Sequence, residues 1–128
     1  MTTPKNVHQL LQSVLQMQDV KYREKEQFWV LMLDMLHHLK SFEVIAIGAV
    51  NKSLLVHPRG VFRRSMSVGC STIILAHSHP TGSSKPSSED IEITKQLVEA
   101  GKIIGIEVLD HIITTGESYY SFKEEMKL

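Results

Sequence analysis

Residues 71–77 read Ser-Thr-Ile-Ile-Leu-Ala-His, and no other run constrains the fold as much. A strand with one face in water alternates apolar and polar side chains. A strand with almost no polar position has to be covered on both faces. The run therefore predicts a central strand with packed elements above and below it. Its neighbours are legible as well. Phe28–Asp34 (FWVLMLD) is short, apolar and led by aromatics, which predicts a buried strand. Phe42–Val50 predicts a second strand, Asn51-Lys52 a turn into a short strand Leu54–His57, and Ile106–Thr115 a further strand, with Ser118–Phe122 at an edge.

The segments between the strands carry a helical period. Val7, Leu10, Leu11, Val14 and Leu15 share one helix face, behind a Thr3-Pro4 start that suits a cap and a first-turn proline. Pro58–Val68 places Val61, Phe62, Ser65 and Met66 together. Residues 87–105 form a helix with Ile91, Thr94, Leu97 and Val98 inward, ended by Gly101 or Gly105. The order is helix, strands, helix, strand, helix, strand. It specifies an α/β chain, a mixed β-sheet sandwiched by helices.

Totals limit the function classes. The 128 residues suit one domain, and 42% hydrophobic content can fill one core. Lys and Arg number 14 and Asp and Glu 14, so long-range attraction to nucleic acid is not the dominant property. The single cysteine, Cys70, excludes a disulfide framework and a Cys-rich zinc finger, and a reducing, cytoplasmic setting is expected. The start lacks a signal-peptide pattern, and no apolar run nears the about 18 residues of a membrane helix.

The chemistry gathers in Leu75–Asp90, LAHSHPTGSSKPSSED. His77 ends the central strand and His79 follows two residues on, so both imidazoles point to one side and can share an ion. A catalytic zinc takes three protein ligands and leaves a position open. Asp90, one turn into the next helix, is the expected third ligand once Pro80 and Gly82 fold the loop back. Ser87-Ser88-Glu89-Asp90 also fits a capping box, in which Ser87 caps the helix and Asp90 returns the bond. Such a site needs a proton carrier. Glu26, just ahead of the first strand, is the best-placed general base, with Glu24 as its rival and a solvated charged run as the plain alternative. Ser87 can donate to an oxyanion, or serve only as an N-cap.

These residues resemble the JAB1/MPN metalloprotease family, whose motif is an upstream glutamate, then H-x-H, seven residues, S, two residues and D. Here those are Glu26, His77-Ser78-His79, Pro80–Pro86, Ser87 and Asp90. The nearer resemblance is to the RadC branch, through Glu26-Gln27-Phe28, Val56-His57-Pro58-Arg59, HSHPTG, Pro86–Asp90 and Leu109-Asp110-His111-Ile112-Ile113. It begins near Arg23, which makes residues 23–128 the domain and 1–22 an N-terminal helical extension, too short for the helix-hairpin-helix region many RadC chains carry. The resemblance implies a cytidine-deaminase-like fold, zinc on His77, His79 and Asp90, Glu26 as acid and base, and Ser87 at the oxyanion. Two departures stand out. Gly60 follows Arg59 where the family usually has glutamate, and Ser78 replaces the usual asparagine.

Other residues receive plainer readings. His111 is expected to be a hydrogen-bonded structural histidine, His37 and His38 surface residues, and Cys70 buried. His57 is left outside the site. Arg59, Arg63 and Arg64 make the one basic cluster on a helix, by default a solvated face. The resulting expectation is a zinc metallopeptidase-type hydrolase linked to DNA repair, acting on a protein or peptide. A DNA-processing nuclease and a non-catalytic interaction module are the alternatives, with DNA or DNA-repair proteins as their partners. The H-x-E with P-C-x-x-C of nucleobase deaminases and the H-E-x-x-H helix of other metalloproteases are both absent.

Overall fold

A computed structural model of the chain describes residues 3–48, 56–80 and 82–128. Its elements are α1 (Pro4–Gln16), α2 (Val20–Arg23), β1 (Gln27–Leu33), β2 (Leu39–Ile47), α3 (Pro58–Val68), β3 (Thr72–Ser78), α4 (Ser88–Ile104), β4 (Glu107–Thr114) and β5 (Tyr119–Ser121). The strands form one sheet in the order β2-β1-β3-β4-β5. β3 lies in the middle, and every one of its residues is buried. It pairs antiparallel with β1 and parallel with β4, and α4 makes the crossover that a parallel pair requires. The fold is the mixed α/β sheet expected from the apolar central run.

Pleating divides the core in two. Phe28, Val30 and Met32 of β1 point with Ile73 and Leu75 of β3 toward α3 and α4, where they meet Phe62 and Leu97. Trp29, Leu31 and Leu33 point the other way with Ile74 and Ala76, toward Val7 and Leu11 of α1. Each fully buried side chain of this size contributes about 1.5–3 kcal/mol. The first helix therefore shares the core of the sheet, with Val7 3% and Leu11 1% exposed. Cys70 is buried and unpaired, as expected.

Several boundaries differ from the sequence expectations. β2 begins at Leu39, because antiparallel pairing opposite Leu33 extends the strand to the hairpin turn. It ends at Ile47, where Gly48 takes φ 109°. The expected end of that strand at Ala49-Val50, the Asn51-Lys52 turn and the first residues of the Leu54–His57 strand lie outside the described residues. His57 itself belongs to no strand: it is the N-cap of α3. The charged stretch after Lys21 contains the single-turn α2, and Gln27 is buried, its amide exchanging hydrogen bonds with Gln18. Met66 is 54% exposed and Ile91 46%, so neither faces the core as expected. On α4 Thr94 and Leu97 face inward as expected and Val98 packs against the core, while Asp90 and Gly101 join the buried face in place of Ile91. The capping box and the residues that Asp90 meets draw the carboxylate inside and turn Ile91 outward.

The two candidate stop residues of α4 do different jobs. Gly105, at φ 87°, is the left-handed cap that ends the helix. Gly101 lies within it, and a Cβ there would sit 2.4 Å from the Ile106 carbonyl oxygen. The helix can turn back tightly into β4 only because that position has no side chain. Gly101→Ala is thus expected to destabilise the protein by about 1–3 kcal/mol through overpacking, against the about 1 kcal/mol gain that alanine brings to an open helix. Urea unfolding reads the sign directly, and a stabilised variant would contradict this packing.

Candidate metal centre

The C-terminal end of β3, the residue before β1 and the first turn of α4 meet at one edge of the sheet. Phe28 of β1 lies opposite His77 of β3. Glu26, two residues before Phe28, is carried to the same place, and its Oε1 lies 3.1 Å from His77 Nε2 and 3.8 Å from His79 Nε2. Glu26, His77 and His79 each offer one ligand atom within 4.8 Å of the others, a group that could hold a metal ion. The two imidazoles have centroids 4.6 Å apart and are nearly perpendicular.

Asp90 stands beside this group. Its Oδ1 lies 3.2 Å from His77 Nδ1 and its Oδ2 3.2 Å from His79 Nε2. The carboxylate also accepts the Ser87 backbone N–H at 2.9 Å, while Ser87 Oγ accepts the Asp90 N–H at 3.1 Å. The capping box is thus complete, and the same carboxylate still reaches both histidines. Capping and approach to the histidines are two uses of one side chain. Ser87 is exposed at the N-cap, with its own O–H directed by no constraint of the box. Glu24 is exposed at the end of α2 and takes no part in the three-residue group.

Hydrogen bonding selects the histidine tautomers. His79 Nδ1 lies 2.9 Å from the Ser83 carbonyl, which can only accept. Nδ1 therefore carries a proton, and in the uncharged ring Nε2 presents a lone pair to Asp90 and Glu26. In a neutral ring that lone pair would face two carboxylates, an arrangement a cation stabilises and a neutral interior does not. Metal-binding histidines are held in this way, by a carbonyl on the far ring nitrogen. His77 is 2% exposed and its Nδ1 has no hydrogen-bond partner, because Asp90, although at 3.2 Å, is off the ring's donor direction. A buried, orphaned nitrogen among oxygen and nitrogen donors fits a divalent ion of the zinc class.

Electrostatics agree with this geometry. Burial pulls the His77 pKa down, but Asp90 and Glu26 more than offset it, and the value is raised. For Asp90, burial raises the pKa, yet the neighbouring His77 and His79 imidazoles and the Ser87 N–H hold it well below the ordinary carboxylate range.

Residues that carry no sequence signal position the group. Ser83 fixes the His79 ring. The Thr114 carbonyl accepts the His79 N–H at 2.9 Å. Thr114 is in turn held from α1, where His8 bonds its hydroxyl and Gln12 Nε2 donates to it at 3.0 Å. Ser78, between the two histidines, accepts the Gln27 N–H at 3.0 Å and so pins the chain where Glu26 leads into β1. A cleft of about 270 Å³, lined by Gln12, Arg23, Ser78, His79 and Thr114 among others, opens beside the loop.

The remaining candidates lie elsewhere. His57 caps α3, its Nδ1 accepting the Arg59 N–H, and is exposed. Arg59, Arg63 and Arg64 are exposed on α3. His38 is exposed and pairs with Asp34 at 3.3 Å, and His37 sits half-buried at φ 63° in the β1–β2 turn. His111 is a fully buried, hydrogen-bonded residue, its Nδ1 at 2.6 Å from Thr94 Oγ1 and its ring stacked on Phe122.

The chain belongs to the RadC-like JAB domain family, whose family model matches residues 1–128. It is 50% identical over 113 residues to a UPF0758 protein of Alkaliphilus metalliredigens, covering 88% of this chain and 48% of that protein. It is 45% identical over 124 residues to one of Caldanaerobacter subterraneus subsp. tengcongensis, covering 97% and 51%. A UPF0758 protein of Methanosarcina mazei is 40% identical over 124 residues, covering 97% and 52%. The chain spans about half the length of these relatives.

His111 yields a pH test. Burial, then the charge of His77, push its pKa down to about 3 from an ordinary 6.5. Between those values the unfolded chain binds a proton that the folded chain refuses. Stability therefore rises with pH across that window, by about 1.4 kcal/mol per unit for one proton. His111→Phe, which keeps a ring for stacking, is expected to remove this component. The urea midpoint of the metal-free variant minus that of wild type should shift in the variant's favour from pH 7 to 6 to 5, and a pH-independent difference would mean that His111 is not the refusing group.

Proposed function

We propose, from membership of the RadC-like JAB family and from His79 Nε2 directed between two carboxylates, that this chain is a zinc-dependent hydrolase of amide or isopeptide bonds. The carrying observation is the Ser83 contact, which turns His79 Nε2 toward Glu26 and Asp90. In this reading His77, His79 and Asp90 hold the ion. Bound zinc supplies Lewis acidity and a more acidic water. Glu26, 30% exposed at the rim, takes the proton from the attacking water and returns it to the leaving amine. Ser87 donates its hydroxyl to the carbonyl oxygen as negative charge develops there.

The division of labour between Glu26 and Asp90 rests on burial. Asp90 is 4% exposed and fastened by the capping box, which suits a fixed ligand. Glu26 precedes its strand and keeps contact with solvent, which suits a group that must change protonation during turnover. The substrate approaches along the cleft between α1 and the loop, as an extended peptide or protein segment. Equal numbers of acidic and basic residues lend no support to nucleic acid as the preferred substrate. Among the described residues no helix is long and apolar enough to cross a membrane. A cytoplasmic protein acting within DNA repair is the cellular setting proposed for it.

Metal analysis of the purified chain is expected to find about one zinc per molecule, with His79→Ala and Asp90→Asn weakening binding at least about 100-fold. Glu26→Gln should keep the metal and lose hydrolysis by about 100-fold or more in a screen of peptide, isopeptide and nucleic-acid substrates. A fully active Glu26→Gln removes its assigned role. Cleavage of nucleic acid alone would move the chain to the nuclease reading.

A further inference from the structure

We infer that Thr94 and His111 form a positioning pair for the metal centre, tying the first turn of α4 to β4 so that Asp90 is held in reach of both imidazoles. The inference rests on the reading of the cluster as a metal site and adds two residues to it. Thr94 Oγ1 has one proton and two partners at 2.6 Å, the Asp90 backbone carbonyl and His111 Nδ1. The carbonyl can only accept, so it takes the hydroxyl proton. His111 must then supply its own proton from Nδ1 to Thr94 Oγ1. The chain of donors runs His111 Nδ1–H to Thr94 O–H to Asp90 C=O, with no ambiguity of direction. Asp90 is thereby gripped at both ends. Its carboxylate meets the histidines at the end of β3, and its carbonyl is tied through Thr94 to the neighbouring strand β4.

The cost of this arrangement argues that it is retained for the tie. With the proton on Nδ1, His111 Nε2 is a buried lone pair, and it has no hydrogen-bond partner. An apolar ring would pack in the same slot without that penalty. The slot is aromatic: the ring stacks on Phe122 at 4.8 Å and 5°, meets Phe28 edge-on at 5.6 Å, and lies 6.1 Å from His77 at 24°. Those contacts fix the plane of the imidazole, and the 2.6 Å contact to Thr94 Oγ1 sets Nδ1 as the nitrogen that faces α4. The pair therefore sets a single register for α4 against the strand ends, and it does so by touching neither the ion nor a substrate.

The experiment compares wild type with Thr94→Val, Thr94→Ser and Leu97→Ala. Zinc affinity is read by competition with a chelating dye, and thermal melting is recorded without metal. Thr94→Val is expected to weaken zinc binding about 10–100-fold. Thr94→Ser, which keeps the hydroxyl, should stay within about threefold of wild type. Leu97→Ala, which damages the same helix in the core, should lower the melting temperature but leave zinc affinity within a similar margin. Histidine ¹H–¹⁵N spectra of the metal-free protein should show His111 protonated at Nδ1, and that signature should be lost or shifted in Thr94→Val. A proton on Nε2 instead overturns the inference. So does a Thr94→Val protein that binds zinc as wild type does, or a loss of affinity matched by Leu97→Ala. If the wild-type chain itself takes up no zinc, the reading of the site fails and this inference fails with it. If wild type binds and Thr94→Val binds equally well, only the inference fails.

Discussion

One carboxylate joins the two halves of this site. Asp90 closes the capping box of α4 through the Ser87 N–H and faces His77 and His79 at 3.2 Å each. The helix start and the strand end are thus fixed by the same two oxygen atoms. Removing the carboxylate would leave a helix N-terminus short of an acceptor and two imidazoles short of a counter-charge.

The charges at this edge are arranged at a cost. Two carboxylates and two imidazoles sit where His77 and Asp90 are almost fully excluded from water. Burial alone would neutralise each of them, and it does so for His111 nearby. In the cluster, opposite charges prevail instead, raising His77 and depressing Asp90. A protein assembled only for stability gains little from such a group, since apolar side chains of equal volume are often as good or better. The arrangement is understandable as a place prepared for a positive charge.

How much of this was legible depends on how each residue acts. The central strand could be read because an unbroken apolar run admits one environment. His77, His79 and Glu26 could be named together because residues two apart at a strand end share one side, and the structure brings the three within 4.8 Å as a group that could hold a metal ion. Asp90 carried two readings, cap and ligand, and in the structure it closes the capping box and lies 3.2 Å from both histidines. The exposure of Ile91 was missed, because apolar periodicity put it inward and could not weigh the pull of two histidines on its neighbour. Ser83 and Thr114 were invisible for another reason, and Thr94 could be read only as an inward-facing helix position. They work through a backbone carbonyl or a single hydroxyl, and neither leaves a spacing in the sequence. The role of Ser78 was likewise hidden, since a residue that is not a ligand gave no reason to look for the Gln27 amide.

The first helix changes what counts as the smallest useful piece of this protein. Motif-based boundaries begin near Arg23 and would discard it. Yet Val7 and Leu11 roof Trp29 and Leu31, and His8 with Gln12 steadies the threonine whose carbonyl receives the His79 amide. A fragment trimmed to the motif would keep Glu26, His77, His79 and Asp90 while exposing the sheet face that carries Trp29 and loosening the support behind one imidazole. What such a fragment failed to do would report on its missing scaffolding before it reported on the motif.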